Sequence, residues 1–82
     1  MKMKTRDGLK LSKVVRALEE LAGVTVRRGS NHPYVAMMPG LQPCPVAAST
    51  DARKMVVPWV KQASGYSDSN EVYRALRTGG WN

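Results

Sequence analysis

From Ser12 onward the apolar residues Val14, Val15, Leu18, Leu21 and Ala22 fall at i, i+1, i+4, i+7 and i+8, the spacing of one stripe along a helix. A stripe of this kind is unstable facing water, so the rest of the chain has to supply a surface that covers it. Ser12 is placed to cap the helix and Gly23 to end it. Lys13, Arg16, Glu19 and Glu20 lie off the stripe, and the Arg16–Glu20 pair at i, i+4 contributes roughly a few tenths of a kcal/mol to a solvated face. With 82 residues there is room for one domain and one modest core.

The covering surface reads as a sheet. Val24 to Arg28 is a short β-rich run, Gly29, Ser30 and Asn31 carry turn chemistry, and a second run goes from His32 through Tyr34, Val35, Ala36 and Met37, together a β-hairpin. Pro39 to Thr50 holds three prolines, a glycine and several small residues, the composition of an extended loop. Strand chemistry returns over Arg53–Trp59, where Met55, Val56 and Val57 are apolar and Pro58 suits a strand end or edge better than a helix interior. Lys61–Asp68 is polar and turn-rich. Ser69 or Asn70 can then cap a short final helix in which Val72, Ala75 and Leu76 keep helical spacing and Gly79 ends the run.

The sequence therefore predicts an α+β fold of order α-β-β-β-α, a three-stranded antiparallel sheet with both helices on one face. Residues 11–82 form this single domain, and residues 1–10, with Lys2, Lys4, Arg6 and Lys10, read as a flexible basic arm. No internal repeat interrupts the pattern.

Thirteen Lys and Arg against six Asp and Glu give a formal charge of +7, a field that attracts and steers polyanions. Nucleic acid is the first partner this suggests, with solubility or an acidic protein partner as the alternatives. The single cysteine, Cys44, permits no internal disulfide and no zinc set, and no cofactor or metal is expected. No stretch has the form of a signal peptide or approaches the roughly 18 apolar residues of a membrane span, so a cytoplasmic protein without membrane contact is expected. A glycine-rich phosphate loop and a Ser-His-Asp arrangement are both missing from the sequence pattern.

The order of elements and the basic charge are those of double-stranded-RNA-binding domains (dsRBDs). More locally, Leu21-Ala22-Gly23-Val24 closes the first helix, an arginine follows, Gly29-Ser30-Asn31-His32 opens the second strand, and Val56-Val57-Pro58-Trp59 comes later. Val72-Tyr73-Arg74-Ala75-Leu76-Arg77 precedes Gly79-Gly80. Together these segments, from Ser12 to Gly80, resemble the HicA family of bacterial toxins. The resemblance implies a dsRBD-like ribonuclease of a type II toxin-antitoxin system, which cleaves messenger RNA, blocks translation and is neutralised by a HicB antitoxin. By position it makes His32 the catalytic residue and Gly29 and Ser30 part of its motif. The segment between the second and third strands is longer than is usual in the family, and Val60 stands where many members have histidine.

Cleavage of RNA without metal needs a base for the 2′-hydroxyl, a donor for the phosphoryl oxygens and an acid for the leaving oxygen. Histidine suits the proton steps because both its forms are accessible near neutrality. His32 is the one histidine, so water or a lysine would serve as the acid; the alternative is a histidine that merely satisfies a turn. Gly29 lets the backbone approach a phosphate and Ser30 offers a hydroxyl. Arg27 and Arg28 point to opposite faces of a strand, so one of them can share the face of His32 and steady the transition state. Tyr34, two residues beyond His32, is either a stacking platform for a base or a core residue. Lys13, Arg16, Lys54, Lys61, Arg74 and Arg77 form a group suited to binding phosphates. Tyr73, Trp59, Trp81, Met37 and Met38 read as packing residues. Two other functions use the same residues: a non-catalytic RNA- or DNA-binding module, and an adaptor from a phage or mobile element whose basic face meets an acidic protein.

Overall fold

The computed structural model describes residues 4–28 and 34–81. Helix α1 runs Leu11–Glu19, and its buried stripe is Leu11, Val14, Ala17 and Leu18, continued by Leu21 beyond its end; Val15 is half-buried and Ala22 exposed. The helix starts one residue before Ser12. Lys10 takes the cap position and offers no side-chain hydrogen bond, while its carbonyl accepts from the Lys13 and Val14 amides. Gly23, at φ +82°, does not end the helix directly but turns the chain out of the loop that follows it.

Strands β1 (Thr25–Arg27), β2 (Tyr34–Met37) and β3 (Cys44–Val46) form one antiparallel sheet in the order β1-β2-β3. Val26 pairs with Ala36 and Ala36 with Cys44, while Tyr34 pairs with Val46. These five residues share the inner face and belong to or pack on the core. Thr25, Arg27, Val35, Met37 and Pro45 occupy the outer face, as the period of two requires. Strand β3 lies within the segment that the sequence marks as a loop. Its prolines obscured it, yet Pro45 sits on an edge strand with its side chain outward, a position that tolerates the missing amide. Pro39 and Gly40, the latter at φ +87°, are the two central residues of the turn closed by the Leu41 amide on the Met38 carbonyl, as a type II turn requires.

Arg53–Trp59 is helical, contrary to the strand reading. Ala52–Val56 makes one wide π-helical turn that runs directly into α2, Val57–Ser64. Ala52, Val56 and Val60 are fully buried whereas Met55 is 48% exposed, so the helical period of these positions decides over the β preference of the valines. Pro58 is the second residue of α2, where the wide π-helical turn passes into the α-helix. Helix α3 (Ser69–Thr78) buries Val72, Ala75 and Leu76 and ends at Gly79 with φ +86°. Its cap is Asp68, one residue before Ser69 and two before Asn70, accepting from the Asn70 and Glu71 amides.

The chain thus has three α-helices and the order α-β-β-β-α-α among the described residues. Helix α1 lies across all three strands and the π-helical turn meets β3, while α3 packs on α1 and α2 and not chiefly on the sheet. The arrangement of two terminal helices on one sheet face is corrected accordingly. Residues 4–10 also differ from a flexible arm. Lys4 bridges Lys10, Thr5 and Leu9 are buried, and the Arg6 amide donates to the Thr50 carbonyl at 2.8 Å.

Candidate nucleic-acid interface

Gly29, Ser30 and His32 lie outside the described residues, and the structure places the residues on either side of them. Strand β1 delivers Arg27 to the outer face of the sheet, where it is exposed opposite Val35. Arg28, the next residue, sets its guanidinium over the Tyr34 ring, 5.9 Å from the centroid. Tyr34 faces inward and is half-buried against the core, so part of its ring is committed to packing. A cation held on an aromatic face keeps its outward N–H groups for an anion, and the pair flanks the Gly29–Pro33 segment in the chain. Arg27 and Tyr34 are on opposite faces.

The remaining cations come from the helices. Lys13 and Arg16 on α1, Lys54 on the π-helical turn, and Arg74 and Arg77 on α3 are exposed. Lys61 is half-buried and its Nζ donates to the Ser69 hydroxyl at 3.0 Å, which ties α2 to the start of α3. On α3, Asn70, Arg74 and Arg77 recur at i, i+4 and i+7 and make one outward stripe. Lys13 packs against Gly79 at the far end of that helix, where an added Cβ would come within 3.4 Å of its side chain.

Arg53, absent from the sequence-based candidates, extends this stripe. Its Nη2 donates to Asn70 Oδ1 at 2.6 Å and its guanidinium lies 4.8 Å from the Tyr73 ring centroid. Reading residues 52–60 with a helical period would have placed Arg53 on the outward side. No local signal identifies the group beneath it. Asp7 Oδ1 accepts from the Thr5 hydroxyl at 2.7 Å and the Ala52 amide at 2.9 Å, and Oδ2 accepts from the Arg53 amide at 3.2 Å and the Tyr73 hydroxyl at 2.9 Å. The carboxylate caps the π-helical turn from a distant part of the chain and fixes Tyr73 under Arg53. Partial burial opposes its charge, but the bonds from Thr5, Ala52 and Tyr73 outweigh that and hold the Asp7 carboxyl below its ordinary value. Burial, then the bond to Asp7, raise the Tyr73 phenol.

Among the described residues no three His, Cys, Asp or Glu side chains gather as a metal cluster, and no helix is long and apolar enough to cross a membrane. Cys44 is buried, and burial pushes its thiol up to about 11, which keeps it unreactive. What the arrangement offers chemically is a row of guanidinium groups along α3 and a separate cation-aromatic pair beside the Gly-Ser-Asn-His segment. Comparison with family models, with curated proteins and with solved structures gives no match.

Proposed function

We propose that this α+β domain binds RNA through its arginines and lysines and cleaves it at His32, as a dsRBD-like ribonuclease toxin of HicA type restrained by an acidic HicB-type partner in the cytoplasm. The observation that carries the reading is the Arg28–Tyr34 pair, which stands immediately before and after Gly29–Pro33 in the chain. In the chain it puts a hydrogen-bond donor for phosphate before the one histidine and an aromatic residue after it. The element order supports the reading as far as α-β-β-β, after which an extra helix, α2, stands before α3, the helix that carries the closing part of the resemblance. The Val56-Val57-Pro58-Trp59 segment, being helical, lends the family resemblance no third strand.

In this reading neutral His32 takes the proton from a 2′-hydroxyl, and the resulting oxygen attacks the adjacent phosphorus. Arg28 balances charge on the phosphoryl oxygens, and the 5′-oxygen leaves with a proton from water or a lysine, giving a 2′,3′-cyclic phosphate. The solitary histidine also favours a second reading, a binding module without cleavage, because no second imidazole is present to act as the acid. Purified protein and its His32→Ala variant, incubated with fluorescence-quenched RNA in EDTA while binding is measured in parallel, separate the two. Cleavage by wild type alone with binding retained by both supports the ribonuclease. Binding by both with cleavage by neither leaves the binding module.

A further inference from the structure

A cleft of about 180 Å³ lies between α3 and the C-terminal residues, remote in sequence from His32. One wall is a helical stripe, Glu71, Arg74, Ala75 and Thr78 at i, i+3, i+4 and i+7, and the other is Gly80 and Trp81. Gly79, at φ +86°, stops the helix and turns the chain, so that Trp81 doubles back beside α3. The indole is fixed at two points: its Nε1 donates to the Ala17 carbonyl in the last turn of α1 at 2.8 Å, and its ring stacks on Tyr66 at 4.6 Å with the planes 9° apart.

We propose that this cleft takes an unpaired nucleobase, with the attached phosphate on Arg74. The proposal rests on the RNA-binding reading and adds a single-stranded subsite to it. A tryptophan serving only to close the core would be expected to have its neighbours packed against it. Here it bounds an open space whose other wall carries a guanidinium, a carboxylate and a hydroxyl. The volume is below the roughly 300–1,000 Å³ of sites for larger organic ligands and suits one planar ring system. An aromatic ring already held by a hydrogen bond and a stack loses little freedom on binding, which favours affinity. Polar groups beside an aromatic wall read the edge of a splayed base, and Arg74 and Arg77 follow its backbone. A fully paired duplex offers no free base to the cleft.

The test compares anisotropy-measured affinities for an unstructured single-stranded RNA and a blunt duplex of equal length, using wild type, Trp81→Leu and Thr78→Met. Thr78→Met fills the cleft from the α3 wall and keeps the Trp81 side chain itself, so it decides the matter if Trp81→Leu unfolds. Folded variants that lose on the order of tenfold in single-strand affinity, the effect of one lost base stack, with duplex binding unchanged, support the subsite. Equal single-strand binding by wild type and folded variants overturns it while the RNA-binding reading stands. Wild type that binds neither RNA overturns both.

Discussion

Replacing Asp7 with alanine removes one carboxylate from four donors, and the cost follows from which donors lose access to water. Ala52 is fully buried and its amide has no other acceptor at that end of the π-helical turn, a loss of about 1–3 kcal/mol. Loss of a capping carboxylate at a helix start costs about 0.5–2 kcal/mol and overlaps with that figure. The Arg53 amide is exposed and the Tyr73 hydroxyl only part-buried, so water replaces most of what they lose. The expected destabilisation is about 1–3 kcal/mol, or roughly 5–20 °C in Tm for a domain of this size. Thermal and urea unfolding followed by circular dichroism at pH 7 measures it, with Asp7→Asn expected between the two because it keeps one acceptor. The effect also has a definite pH dependence. The folded Asp7 pKa lies below that of the unfolded chain, about 3.9, so its contribution is complete above roughly pH 4 and fades as the pH falls through the folded value. The gap between wild type and Asp7→Ala should narrow at acid pH, where the protonated carboxyl keeps one acceptor oxygen. A loss under about 0.5 kcal/mol at pH 7, against the 1–3 expected for an orphaned buried amide, would refute the assignment of Asp7 as the clasp between residues 4–10, the π-helical turn and α3.

Three further outcomes are expected. Gly79→Ala should destabilise by about 1 kcal/mol in urea unfolding, since φ is +86°, a conformation that L side chains rarely adopt. Trp59→Phe keeps the buried ring but loses the 2.6 Å bond from Nε1 to the Gln42 carbonyl, for an expected cost of about 1 kcal/mol by the same assay. Cys44 should react with a thiol reagent at pH 8 only as fast as the domain opens, because its thiol is buried and its pKa is near 11. Rapid stoichiometric labelling of folded protein would contradict that placement.

Helices α1 and α3 were legible because each carries an apolar stripe over consecutive turns, and Gly79 ends α3 as its conformation requires. Strands β1 and β2 were legible from β-branched residues about a turn. The strand at Cys44–Val46 was not, because three residues are too few to show alternation and Pro45 argues against a strand unless the edge position is known. The valines at 56 and 57 misled in the opposite direction: their β preference is local, whereas the partners of Ala52, Val56 and Val60 are supplied by the rest of the fold. For the interface, the sequence identified which cations are available but not how they group. Arg53 joins Arg74 and Arg77 only through Asn70 and Tyr73, and Asp7 reaches Tyr73 across 66 positions, a contact that no spacing rule contains. Trp81 reads as a packing residue in the sequence because nothing in its neighbours reveals the cleft beside it.

The central claim is that the cationic surface binds RNA through its phosphates, and a salt titration of RNA binding tests it most directly. Anisotropy with a labelled RNA should give a log Kd that rises linearly with log salt, with a slope of about 0.7–0.9 per phosphate contacted. Arg74→Glu with Arg77→Glu should lower that slope as well as the affinity. Binding that is undetectable at about 50 mM salt, or that is unaffected by salt and by those two substitutions, would contradict the account.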